Sequence, residues 1–215
     1  AVKDPAVYQD WIRVRSAAWK VRGVDEPLAQ LQSAGYSNLY AYRFDWDDQA
    51  TSFFADFPAI IGAAHGIDIA FLTGAFTYGP VSRWVYPDSA ERQEMMELMM
   101  GAWAEFARAS KPKTPVPWPQ YKADEREFIH LDVSDALRTA ADNVTVGTLL
   151  ERIENFTHMT QQERCLLGWE TLTKVGQPDY ARYEQWPHCQ TFDALAAQRQ
   201  INKALIEAHG STSVL

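Results

Sequence analysis

The chain has 215 residues, 47% of them hydrophobic and 13% aromatic, including 8 Trp, which is ample material for a buried core and lacks the signature of disorder. Its formal charge of −8 comes without the clustered Lys and Arg that displace counterions, so nucleic acid is excluded as an expected partner. No apolar run approaches the roughly 18 to 20 residues a bilayer span needs, since Ala55 to Ala75 is broken by Asp56, His65 and Asp68.

The first residues, AVKDPAVYQDW, contain neither an initiator Met nor a charged-then-apolar leader pattern. The compartment therefore stays open between secreted or periplasmic and cytoplasmic. From Pro5 to Gly23, the spacing of Val7, Trp11, Val14 and Ala18 predicts an amphipathic helix that Gly23 can end. A second short helix is expected from Glu26 to Ala34, ending at Gly35. Asn38 to Trp46 alternates Leu39, Ala41, Arg43 and Asp45 against Tyr40, Tyr42, Phe44 and Trp46, a strand rich in aromatics. The polar run DDQATS turns the chain away from that strand.

Next comes FPAIIGAAHGIDIAFLTG, Phe57 to Gly74, with one histidine among small and apolar residues. A histidine in such a setting is ordinarily a buried structural residue. Gly66 strips bulk from beside the ring of His65, and Gly62 permits a close backbone approach, as a general base with one clear face requires.

Farther on, Glu91 to Ser110 carries Met95, Met99, Ala102, Trp103 and Phe106 at helical spacing, a stripe expected to be buried, and Lys111 to Pro119 with its prolines stops the helix. Val144 to Phe156, Thr160 to Val175 and Phe192 to His209 read as helices, the second opening on a capping box of Thr160 and Glu163. One strand among so many helices leaves its backbone groups unpaired, so partner strands are expected from elsewhere.

Cys165 and Cys189 are consistent either with one disulfide or with two buried thiols; neither sits in a CxxC. Asn143-Val-Thr145 and Asn155-Phe-Thr157 match the N-glycosylation pattern, which matters only in a eukaryotic secretory setting. The five histidines lack the i, i+3 or i, i+4 spacing of a zinc helix, so no metal site is expected. No Gly-x-Ser-x-Gly elbow occurs, so a nucleophile for His65 is not found in the chain.

The blocks LYAYRFDW, FPAIIGAAHGIDIAFLTG, MMELMMGAWAEFARASKP and WPQY, in that order between Asn38 and Leu131, closely resemble the C-terminal part of type-B carboxylesterases, the cholinesterase-like branch of the α/β-hydrolases. The stretch ERCLLGW is similar to bacterial members as well. The resemblance implies an α/β class: the C-terminal portion of an α/β-hydrolase fold, its sheet completed by an N-terminal segment not in this chain. On this basis residues 1–135 would carry the catalytic histidine loop and residues 136–215 a helical C-terminal extension of the same domain.

In that family the histidine of the G-x-x-H-G-x-[ED]-I block is the base of a Ser-His-Glu/Asp triad, a role that falls here on His65. Gly66 and Asp68 would stand behind it, Asp68 being one methylene shorter than the usual Glu. The ungapped correspondence implies that Phe57, Ile61, Ala64 and Ile67 line the leaving-group side of a substrate pocket, with ordinary core packing as the alternative for all four. Phe57 replaces the cholinesterase aromatic that faces a quaternary ammonium, which implies a plain apolar alcohol or aryl leaving group. Asp45 and Asp47 do not match the family's triad acid and are expected to be surface or turn residues.

The expected activity is hydrolysis of a small-molecule carboxylic ester through an acyl-enzyme, with no metal or organic cofactor implied. The expected partner is an N-terminal segment or chain of the same esterase, supplying serine, acid and oxyanion hole. A cholinesterase-like domain used for binding or adhesion without catalysis is the competing reading.

Overall fold

A computed structural model describes residues 4–210. The described residues divide into two compact units, 4–27 with 143–210, and Leu28–Asp142.

The first unit is helical. Helix α1, Pro5–Lys20, starts where Asp4 accepts hydrogen bonds from the N–H groups of Ala6 and Val7 at 3.0 and 3.2 Å, with Pro5 at the first helical position. Gly23 does not end the helix as expected. The chain passes it in a π-helical turn, Val21–Asp25, and continues as α2, Glu26–Ser33, whose residues from Leu28 on are counted with the second unit. The reason is tertiary: Arg22 and Asp25 are buried in that turn, and Arg22 Nε donates to the Val175 carbonyl at 2.9 Å, while its guanidinium also reaches the Gln177 carbonyl. These tertiary bonds outweigh the local tendency of glycine to stop a helix.

The carboxy-terminal helices carry the rest of this unit's core. Helices α7 (Val146–Glu154) and α8 (Gln161–Thr173) bury Leu149, Ile153, Leu167 and Leu172 together with Val14 and Ala18 of α1. The Thr160 and Glu163 capping box forms as expected. Helices α9, Tyr180–Glu184, and α10, Ala194–His209, follow. Cys165 and Cys189 are joined in a disulfide, which resolves the alternatives the sequence leaves open. Gly168 admits the Trp186 ring so closely that a Cβ there would stand 1.9 Å from it.

The second unit is built on a sheet. Strand β1 is Tyr42–Phe44, shorter than the expected Asn38 to Trp46. It is not a lone strand, which corrects the expectation that its partners come only from elsewhere. Strand β2, Glu127–Leu131, pairs parallel to it with Tyr42 opposite Ile129 and Phe44 opposite Leu131. Strand β3, Arg138–Ala141, pairs antiparallel to β2, giving the order β1-β2-β3.

The link from β1 to β2 holds α3 (Phe57–Ile60), α4 (Asp68–Thr73), α5 (Ser82–Val85) and α6 (Ala90–Ala109). Helix α6 is capped by Ser89 and ends at Ser110 in a left-handed conformation of φ 56°. Its Met95, Met99 and Ala102 are fully buried against Ile129, Leu131, Trp46 and Phe71. The expected stripe is narrower at its carboxy-terminal end. Trp103 is half-buried, edge-on to Tyr42 and Trp118 at 5.1 and 5.7 Å, and Phe106 is 41% exposed.

On the other face of the sheet His130 is buried beside Arg43, Asp45 and Arg138. Burial first, and the Arg43 guanidinium second, push its pKa below the ordinary histidine value.

Candidate functional site

Strand β1 delivers the chain to a short loop, and α3 and α4 bracket the histidine segment. Asp56 caps α3 by accepting from the Ala59 N–H at 3.4 Å. The chain then turns twice through glycine: Gly62 has φ 51° and Gly66 φ 88°, both in the left-handed region that a side chain disfavours. Around His65 the Ile67 N–H donates to the Ala64 carbonyl at 3.2 Å, closing a turn with Gly66 at its third position. That is the position at which a type II turn calls for positive φ. A Cβ on Gly66 would meet nothing within 4 Å, so the space at that glycine is open. The residue itself is exposed.

Three side chains from outside the segment pin this turn. Gln49, buried in the loop after β1, donates from Nε2 to the Gly62 carbonyl at 2.9 Å. Tyr86, at the end of α5, donates its hydroxyl to the Ile67 carbonyl at 3.2 Å. Tyr42 of β1 donates its hydroxyl to Asp68 Oδ2 at 3.2 Å. Burial, with Asp68 adding to it, pushes the Tyr42 hydroxyl up to about 12, and burial with nearby Tyr78 and Asp68 does the same for Tyr86. Both phenols therefore remain protonated donors throughout the range in which an imidazole changes charge.

The residues expected to line a leaving-group pocket all pack against the core of the second unit. Phe57 and Ile67 are buried in it, the Phe57 ring lying over Trp84 at 6.1 Å with an interplanar angle of 14°. Ile61 and Ala64 are half-buried against the same core. By contrast Phe53 is 98% exposed, and Phe54, Ile60 and Ile69 are exposed as well. The histidine segment and the residues just before it thus expose several large apolar side chains.

Asp68 lies at the first turn of α4, three residues from His65, with its carboxylate oriented by Tyr42. Asp45, expected as a surface or turn residue, is half-buried and ion-paired: it accepts from Arg43 Nε at 2.7 Å and also contacts the His130 ring. Asp47 is exposed.

Sequence reasoning missed Tyr42, Gln49 and Tyr86 as anchors of the histidine turn. The alternation of aromatics in Leu39 to Trp46 marks Tyr42 as inward-facing, but it does not distinguish a packing ring from one whose hydroxyl holds a carboxylate. Gln49 carries no signal in the sequence, since a lone amide in a polar run ordinarily faces water. Among the described residues no group of three or more His, Cys, Asp or Glu could hold a metal ion. No described helix is long and apolar enough to cross a membrane.

Comparison with known proteins gives a consistent result. Residues 22–147 match the family model described as "Carboxylesterase family". The chain is 30% identical over 105 residues to "Acetylcholinesterase" of Bungarus fasciatus, covering 45% of this chain and 15% of that protein. It is 30% identical over 118 residues to "Pyrethroid hydrolase Ces2a" of Mus musculus, covering 53% of this chain and 20% of that protein. The chain thus spans no more than a fifth of either relative's length.

Proposed function

This chain belongs to the carboxylesterase family, and from that premise we propose that it supplies the general base, His65, of a serine carboxylesterase. The fold class that goes with the family is the α/β-hydrolase, and the helices with a small mixed sheet are consistent with part of it. In this reading residues 1–135 belong to the catalytic domain and residues 136–215 extend it. The nucleophilic serine, the triad acid and the oxyanion hole are contributed by an N-terminal segment not in this chain. Two observations support that division: β1 stands at an edge of the sheet, where a further strand can pair, and Phe53, Phe54, Ile60 and Ile69 expose apolar surface around the histidine segment.

The chemistry is acyl transfer to water. The serine hydroxyl attacks the ester carbonyl while a ring nitrogen of His65 takes its proton. The protonated ring then gives that proton to the departing alcohol, leaving an acyl-serine. Water repeats the sequence: His65 takes a proton from it, the acid is released, and the serine regains its hydrogen. Backbone N–H groups of the N-terminal segment hold the oxyanion.

Asp68, fixed by Tyr42, keeps the turn and its histidine in place without touching the reacting atoms. Phe57, Ile61, Ala64 and Ile67 set the wall on the leaving-group side, which suits a small ester with an apolar alcohol or aryl leaving group. No cofactor enters.

The observation that carries this reading is the exposed His65 on a turn between two positive-φ glycines and anchored by three side chains, inside the family match. Its test is kcat/KM on a short-chain aryl ester for the enzyme assembled with its N-terminal portion, which should turn the ester over and lose that turnover when the His65 ring is removed. Absence of turnover with retained ester binding would instead point to the non-catalytic binding domain.

A further inference from the structure

We propose that Asn155 is an N-glycosylation site, carrying an oligosaccharide attached in a eukaryotic secretory pathway. The sequence Asn155-Phe156-Thr157 fits the acceptor pattern, and three structural observations show that the folded chain accommodates a sugar there and suits a compartment that attaches one.

First, the turn from α7 to α8 sorts its side chains. Phe156 and Met159 are buried in the core of the first unit, and Arg164 ties their carbonyls down at 3.0 and 2.6 Å. Asn155 and Thr157 are exposed. The middle residue of the pattern is the anchor, so the two that define the pattern face outward.

Second, a glycan there is compatible with the fold. Asn155 closes α7, and its Nδ2 donates to the Glu151 carbonyl at 2.9 Å. A side-chain amide has two hydrogens. One serves that bond, and the other is the one a sugar replaces, so the glycosylated amide keeps an N–H for the helix end.

Third, the same unit contains the Cys165–Cys189 disulfide, and disulfides form and persist in oxidising compartments, the lumen of the secretory pathway among them.

The Asn143 pattern is placed differently in the fold. Its Thr145 is half-buried and is taken up in reciprocal capping of α7 with Thr148.

The transfer balances simply. The Asn155 amide nitrogen bonds to C1 of the first sugar of a lipid-diphosphate-linked oligosaccharide, the C1–O bond breaks, and the lipid diphosphate leaves while the amide loses one proton. No oxidant or reductant is needed.

The test places the chain behind a cleavable signal sequence in a eukaryotic secretory host and maps Asn155 by peptide mass before and after an amidase that releases N-glycans and leaves Asp behind. Sugar transfer precedes folding, so the whole signal-cleaved pool is analysed, secreted or retained. The expected result is a glycan on Asn155 that disappears in both Asn155→Gln and Thr157→Ala and persists in Asn143→Gln. The Thr157→Ala variant keeps the Asn155 side chain and its bond to Glu151, so loss of the glycan there reports the acceptor pattern and not a broken helix end. An unmodified Asn155 in signal-cleaved chain, or a glycan confined to Asn143, overturns the proposal.

Discussion

His65 and His130 differ in burial within the second unit. His65 stands exposed on a turn, with the nearby Asp68 held by Tyr42. His130 is buried on β2, facing Arg43 and Arg138 as well as Asp45. Burial and Arg43 together favour the neutral ring, so its folded pKa lies below its unfolded value. The sign follows from linkage: as pH falls through the unfolded value of about 6.5, the unfolded chain takes up a proton before the folded one does. Stability should therefore decrease from that pH down to the lower folded value, with no contribution from this group above it. Asp48 and Asp132, raised chiefly by burial, act in the opposite sense at more acid pH. Urea midpoints between neutrality and mild acid, measured on the assembled enzyme, should fall with pH, and His130→Gln should flatten that slope. An unchanged slope in the variant would mean that the ring takes up its proton equally readily in the folded and unfolded chain.

Helix α6 separates packing from pattern. Met99 is fully buried, whereas Phe106 is 41% exposed and touches Tyr40 edge-on at 5.9 Å. Met99→Ala should cost about 2–5 kcal/mol, and Phe106→Ala clearly less, both read from denaturant midpoints at constant slope. Equal losses would show that the two positions share one core. The pattern of Met95, Met99 and Ala102 was legible because its period matches the helix, and the Thr160 and Glu163 capping box was legible because its chemistry is local. Strands β2 and β3 were not. In β2, Phe128, Ile129, His130 and Leu131 are all buried, so alternation vanishes, as in a strand covered on both faces. In β3 only four residues pair, and Arg138 and two alanines among them carry little strand signal. The expected stop at Gly23 failed for the converse reason: Arg22 reaches Val175 and Gln177, residues far along the chain that no local rule anticipates. At the site, the glycines flanking His65 were legible as special positions, while the hydroxyls and amide that hold the turn were not.

For the whole molecule, the proposed function makes the chain one portion of an enzyme whose other portion supplies the nucleophile. Exposed Phe53, Phe54, Ile60 and Ile69 then become internal on assembly. The chain expressed alone should fail to give a soluble monomer with one cooperative unfolding transition, and calorimetry showing such a transition would contradict the division. The central claim is narrower, and it concerns one ring. It is tested most directly by kcat/KM of His65→Ala on a short-chain aryl ester, in the assembled enzyme with its thermal unfolding checked alongside. An unassisted serine hydroxyl is a poor nucleophile near neutral pH, so the variant should fold normally and lose at least about a thousandfold in rate. A folded His65→Ala enzyme with near-normal turnover would contradict the assignment and return His65 to a structural role.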